Sequence, residues 1–331
     1  MPAEQNHSRI EPRPEVLCIG ESMVLLAPDH GLPLRNTFDV GLYIAGAESN
    51  VARGLAHLGH ETEWFGRVGK DPFGERISDF LSESHVYASN VIVDDSRPTG
   101  VYFKDHRGER STIYYYRLGS AASALCRTDL GGLHVDQRRL VHLSGITPAL
   151  SPSCDDLLQA IVVEREQGGA VISFDVNYRP TLWNADTAGR RLLELARSAD
   201  IVFVGRDEAA VLWSTANAED VRRILPDVPE LVVKDAHVGA THFGGAGTTF
   251  VPALKVSVVE PVGAGDAFAA GVLSGWLRGW DATRSLQLGH IMAGFTLQHV
   301  SDLPVLPEAA VILSLAQPSS GEWGDLELGL P

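Results

Sequence analysis

Gly263-Ala264-Gly265-Asp266 is the stretch of this 331-residue chain best suited to chemistry. Before it, Leu254 to Val259 alternates and is rich in valine, which predicts a strand. After it, Ala267 to Leu277 is small and apolar with helical character, which predicts a helix. The bare peptide between them can aim several N–H groups at one spot, where the helix dipole adds roughly half a positive charge. That is an anion site with Asp266 on its rim. Three roles fit the pattern. Asp266 could be an N-cap. The turn could bind a dinucleotide, but Phe268 stands where a third glycine is required and the turn lies near the C-terminus. Or the N–H groups hold charge on a moving phosphate while Asp266 orients or deprotonates the attacking hydroxyl. A carboxylate at a helix start is expected to have a lowered pKa, so orientation weighs at least as much as proton removal.

A second candidate set lies in Thr99 to Phe103 and Ser111 to Arg117, two β-like runs around Arg107-Gly108-Glu109. They predict a hairpin. With Phe38 to Ile44, a weakly alternating exposed strand, they predict a small sheet lying over the site. In Tyr114-Tyr115-Tyr116-Arg117 the alternation puts Tyr115 and Arg117 on one face, and Tyr102 on the partner run can join them. Tyrosines in strands are usually packing groups. An arginine among phenolic hydroxyls, however, suits a planar carboxylate gripped bidentately, which a neutral sugar would not require.

The elements that must position these groups alternate strand and helix. Val16 to Ile19 is a buried-type strand ending in Gly20-Glu21-Ser22. After Ala45-Gly46-Ala47-Glu48-Ser49-Asn50 comes a helix with Val51, Leu55 and Leu58 on one face. Glu63 to Gly74 reads as strand, glycine-rich loop and helix start, and a strand near Val91 completes a βαβ unit. Val171 to Phe174, Ile201 to Val204 and Leu231 to Lys234 are further strands, and Arg284 to Val300 is a helix. A parallel sheet covered on both faces is the expectation. Ligands in such sheets sit beyond the carboxyl ends of strands, where Asp175-Val176-Asn177-Tyr178-Arg179 falls.

A formal charge of −15 argues against nucleic acid and anionic membranes as partners, so a polyanionic substrate must be met by local positive groups. Cys18, Cys126 and Cys154 have no metal-like spacing and fit a reduced compartment. Residues 1–14 lack the apolar run of a secretory signal. The longest small-apolar stretch, Ala267 to Leu277, falls short of the ~20 residues a bilayer span takes. A soluble, cytoplasmic protein is expected.

Gly-Ala-Gly-Asp followed by Ala-Phe resembles the signature of the ribokinase-like (PfkB) carbohydrate kinases. The resemblance covers roughly residues 16 to 315. It implies a three-layer α/β/α domain over 15–316 with a β lid from about 31–46 and 97–118, and tails at 1–14 and 318–331. It makes Asp266 the catalytic base, with the N–H groups of Gly263, Ala264 and Gly265 as an anion hole, each donor typically worth ~3 kcal/mol. Gly46 and Asn50 match a segment that approaches sugar hydroxyls, although Ala45 replaces its first glycine. Asn177 would meet nucleotide phosphates, and Arg179 the acid or a phosphate. Glu208 matches the last position of an Asn-x-x-Glu element tied to magnesium, directly or through water, where Gly205 replaces the Asn. Lys234 and Gly239 match a Lys-x-Gly-x-x-Gly nucleotide loop with Ala236 in place of its first glycine, and His290 lies on the helix that borders adenine. Tyr115 to Leu125 and His142 to Ser151 are similar to runs in 2-keto-3-deoxygluconate kinases. The implied reaction is transfer from ATP, with Mg²⁺, to the C6 hydroxyl of that sugar acid. A monovalent cation is left open, and pairing of subunits through the lid is expected. Another sugar or nucleoside kinase of the family, or a silent sugar-acid binder, are the alternatives.

Overall fold

The computed structural model describes residues 14–28, 32–107, 110–298, 306–316 and 323–329. The expected 1–14 tail lies almost wholly outside these residues, as do Gly108 and Glu109 of the hairpin turn.

In chain order the elements begin with β1 (Val16–Ile19), β2 (Met23–Pro28), β3 (Val40–Ala45), α1 (Ala47–His57), β4 (Thr62–Phe65) and β5 (Arg67–Gly69). Then come α2 (Pro72–Glu83), β6 (Ile92–Asp94), β7 (Val101–Arg107), β8 (Arg110–Tyr116), β9 (Leu140–Ser144) and α3 (Pro152–Leu158). The second half holds β10 (Val171–Asp175), α4 (Ala185–Ser198), β11 (Ile201–Gly205), α5 (Arg206–Trp213), α6 (Ala218–Ile224) and β12 (Glu230–Asp235). It closes with β13 (Gly239–Gly244), β14 (Gly247–Pro252), α7 (Ala264–Leu277), α8 (Ala282–Leu297) and α9 (Ala309–Leu315).

Among the described residues the main sheet has eight strands in the order β14-β13-β12-β11-β10-β9-β1-β4. From β12 to β4 all neighbours run parallel, and β13 and β14 add an antiparallel edge. Its strands read as continuous apolar runs because both faces are covered. Successive side chains alternate between faces, and the core divides accordingly. Leu17, Ile19, Val141 and Phe174 pack against α3 and α4 on one side. Val16, Cys18, Leu140 and Phe203 pack against α1, α2 and α7 on the other. Several helices start where a side chain satisfies their first N–H groups: Asp71 accepts from Phe73 and Gly74 at α2, and Asn184 from Thr187 at α4.

The lid is a separate sheet in the order β3-β2-β7-β8. It includes Met23–Pro28, which lies outside the expected lid segments of about 31–46 and 97–118. Leu25, Tyr102 and Tyr115 stand in one row across three of its strands. Two further expectations fail. Leu254–Val259 is no strand: Val258 and Val259 are exposed, and Val259 and Glu260 donate instead to the Leu297 carbonyl at the end of α8. The Val91 strand pairs with β5 in a small sheet of its own and does not join the main one. In the segment expected as a tail from 318, Leu328 is buried against Leu288 and Ile291, and Trp323 donates to the Pro252 carbonyl (2.9 Å), because both are apolar groups over an apolar helix face.

Candidate active site

The carboxyl ends of β10, β11 and β12, the start of α7 and the inner face of the lid enclose a cleft of about 550 Å³. Its floor is the start of α7. Gly263 has φ +80°, a left-handed conformation that a side chain would strain, and it turns the chain into the helix. The Ala264 N–H is directed back at the Pro261 carbonyl (3.4 Å). The N–H groups of Gly263 and Gly265 find no acceptor among the described residues and line the cleft. Of the three N–H groups expected as donors, those of the two glycines are left open among the described residues, while Ala264 is taken up by the turn.

Asp266 sits in the first helical turn, and its Oδ2 accepts from Asn50 Nδ2 at 2.9 Å. The two residues meet because α1 and α7 lie unusually close: a Cβ at Gly54 would come within 2.6 Å of the Ala270 Cβ. Although Asp266 opens on the cleft, protein surrounds most of it. That burial, with Asp175 adding to it, pushes its pKa up to about 7 against the opposing pull of Asn50, Arg179 and Lys234. The lowered value expected from the helix dipole is therefore corrected. Desolvation outweighs the dipole, and the carboxylate gains and loses its proton near neutrality.

On the nucleotide side, Lys234 Nζ donates to Asp175 Oδ2 at 2.6 Å. Burial pulls the lysine pKa down, but Asp175 and Glu208 outweigh it, and the ammonium is held above its ordinary value. A methyl group at Gly265 would lie 3.7 Å from Nζ, so this cation stands beside the free N–H groups. Glu208 opens α5, accepting from the N–H of Gly205 (2.8 Å) and of Tyr178 (3.0 Å). Burial raises its pKa and Lys234 counters. Asn177 lines the cleft with φ +39°. Ala236, at the position of the missing glycine, keeps a left-handed backbone (φ +42°) and lines the cleft as well.

On the other side stand Gly46, Asn50, Tyr102, Tyr115, Arg117 and Arg179. A Cβ at Gly46 would fall 2.4 Å from the Glu21 carbonyl, so only glycine lets β3 turn into α1 here. Asn50 Oδ1 is buried and finds no hydrogen-bond partner among the described residues. Tyr102 and Tyr115 face each other at 5.4 Å, and the Arg117 guanidinium lies over the Tyr115 ring. Arg117 is not a free cation, however: it forms a buried ion pair with Glu21, which also accepts from Ser120 Oγ (3.0 Å). Its Nε keeps no partner among the described residues. Arg179 donates only to the Tyr178 carbonyl (3.3 Å) and has no carboxylate partner among the described residues. Glu21 is the functional neighbour that sequence reasoning missed. Its one signal was its place at the carboxyl end of β1.

Two expected residues lie elsewhere. His290 is buried beneath α7, edge-on to Phe268 at 5.0 Å and bonded to the Val251 carbonyl, with its pKa lowered to about 4 by burial. It is a core residue, because the inner face of α8 has no route to the cleft. Gly239 opens β13 with φ +147° and stands against Val251 and Phe250, outside the cleft.

Residues 13–309 match the profile of the pfkB family carbohydrate kinases. The chain belongs to that family. Among curated relatives, it is 34% identical to a 2-dehydro-3-deoxygluconokinase of Bacillus subtilis (strain 168), covering 88% of this chain and 92% of the relative. It is 32% identical to a 2-dehydro-3-deoxygluconokinase of Thermoproteus tenax, over 88% and 91% of the two chains. Among solved structures, a PfkB protein from Polaromonas sp. JS666 superposes with a TM-score of 0.82 at 31% identity, covering 90% of this chain and 99% of the other. As a carbohydrate kinase of ribokinase-like α/β architecture, the protein must bring a sugar hydroxyl and a phosphoryl donor together. No described helix is long and apolar enough to cross a membrane.

Proposed function

We propose that this kinase phosphorylates 2-keto-3-deoxygluconate at C6 with ATP. The observation that carries the reading is one cleft in which the Arg179 guanidinium, without a carboxylate partner among the described residues, stands with the Glu21-paired Arg117 and a carboxylate poised at about 7. A neutral sugar has no use for a guanidinium without a carboxylate partner; a sugar acid does. The named activity of the two curated relatives supports the same substrate.

In the reaction, the C6 hydroxyl sits against Asp266. Its oxygen bonds to the γ-phosphorus as the bond to the ADP oxygen breaks, and its proton passes to the Asp266 carboxylate. Asn50 fixes the carboxylate from one side and offers Oδ1 to a second sugar hydroxyl. The free N–H groups of Gly263 and Gly265, with Lys234 beside them, hold the charge that spreads over the phosphoryl oxygens. Among the described residues no cluster of three or more acidic, His or Cys groups could hold a metal ion. The buried, unpartnered Oδ1 of Asp175, with Glu208 near it, does fit Mg²⁺ that arrives on the nucleotide phosphates. Such an ion neutralises phosphate charge when bound. Both oxygens of Glu208 already accept backbone N–H groups, so a contact through water suits it best. A second copy of the chain would pack on the outer lid face, where Leu42, Tyr114 and Tyr116 are exposed.

An ADP-release assay with ATP and Mg²⁺ tests the substrate over 2-keto-3-deoxygluconate, its galactonate epimer, fructose, ribose and a nucleoside. Preference for a neutral sugar makes the protein another kinase of the family, and silence on all of them makes it a binder.

A further inference from the structure

The lid and the anion turn are joined by one buried ion pair that the reaction as described does not use. Lys104 lies on β7 two residues after Tyr102, so it projects from the same, cleft-facing side of the lid. It pairs with Glu260, and both side chains are under a tenth exposed. Glu260 stands three residues before Gly263. Its Oε1 accepts the Val262 N–H at 3.1 Å, while its own N–H is tied to the Leu297 carbonyl at the end of α8 (3.2 Å). One oxygen of this carboxylate thus shapes the turn that feeds the free N–H groups, and the other is paired with the lid.

We propose that Lys104 and Glu260 are positioning residues that make the geometry of the anion turn depend on the lid being down. With the lid raised, Glu260 loses its cation, and the Pro261-Val262-Gly263 segment is held only by local bonds. With the lid lowered, the pair fixes Val262 and so the direction of the Gly263 and Gly265 N–H groups. The phosphoryl group is then fully held only when the sugar pocket is covered and water is shut out. The pair serves this purpose better than a surface bridge, because a buried charge tolerates few alternative positions once its partner is in place.

The choice of sugar in the test rests on the sugar-acid kinase reading; the exchange measurement does not. Lys104→Met, Glu260→Gln and the double variant are compared with wild type. Hydrogen exchange is read without substrate, and ADP and phosphorylated sugar are counted with 2-keto-3-deoxygluconate, ATP and Mg²⁺. Exchange is expected to rise together in residues 101–107 and 262–267 in either single variant. kcat is expected to fall on the order of 10- to 100-fold, as for a cradle displaced by up to about 1 Å, with KM for ATP little changed. The double variant should be no worse than the singles. ADP should exceed phosphorylated sugar, because water then takes the hydroxyl's place: its oxygen bonds to the γ-phosphorus, ADP leaves and a proton goes to solvent. Glu260→Gln keeps an acceptor for Val262, so it reads the lid link even if Lys104→Met fails to fold. Exchange rising in only one segment, losses that multiply, or one ADP per sugar at wild-type kcat would each overturn the proposal. A wild type inactive on this sugar but showing the paired exchange response would overturn the substrate reading and leave the link standing.

Discussion

Replacing Asp266 by Asn is the most direct perturbation, and the structure sets its size in two independent ways. The amide keeps an oxygen to accept the 2.9 Å bond from Asn50, so the local geometry survives and the loss is that of the base. A general base contributes about 10²- to 10⁴-fold, so kcat falls by that factor while nucleotide affinity stays within a few-fold. In wild type, a carboxylate at about 7 gives kcat/KM an acid limb near that pH, with activity rising as pH rises through it. The variant's residual activity lacks that limb. Stability moves the other way. The folded value lies above the ordinary 3.8, so ionisation costs stability progressively as pH rises from 3.8 to about 7, and the whole cost is present above that. Its ceiling is roughly 4 kcal/mol. Partial contact with solvent reduces this to ~1 kcal/mol, a rise of a few degrees in Tm for the variant at pH 8 that vanishes below pH 4. Coupled ADP release across pH, with thermal melts at pH 4 and 8, measures both. Near wild-type turnover, or a variant less stable at pH 8 than at pH 4 relative to wild type, refutes the reasoning.

Arg117→Ala should raise KM for a sugar acid by at least tenfold while leaving that for a neutral ketose within about threefold, the imbalance a lost charge-assisted pair predicts. Because it strands the buried Glu21, Glu21→Gln combined with Arg117→Met separates lost binding from lost folding; equal KM changes on both sugars would remove the carboxylate argument. Ala236→Gly should stabilise the protein by ~1 kcal/mol, since it removes a left-handed alanine at φ +42°; a lower Tm would show that the loop is not strained. Tyr116→Lys on the exposed lid face should shift a dimer toward monomer in light scattering without altering the melt, and an unchanged mass would clear that face of any part in assembly.

What the sequence disclosed follows from distance along the chain. The Gly-Ala-Gly-Asp turn was legible because its chemistry lies in adjacent residues, and the lid hairpin because β7 and β8 alternate within one short loop. Met23–Pro28 was not legible. It is an apolar run three residues beyond another, and nothing in its period says that the chain leaves one sheet for a second. Leu254–Val259 had the alternation of a strand, but its end is tied to the Leu297 carbonyl at the end of α8, a contact set by tertiary packing. Partners set by tertiary packing were equally hidden: Glu21 and Arg117 are 96 residues apart, and Asn50 and Asp266 are 216 apart. The helix dipole at Asp266 could be read from sequence, whereas the burial that overrides it could not. The same holds for His290, whose helix has one face that never reaches the cleft.

Trp323 and Leu328 have a practical meaning for anyone preparing this enzyme. Leu328 fits against Gly294, and Trp323 lies 6.3 Å from the His290 ring, which in turn rests edge-on against Phe268, two residues past Asp266. Trimming the acidic end at residue 317 to aid crystal growth would therefore strip the backing from α8, on which α7 rests. A purification handle there would press on the same spot.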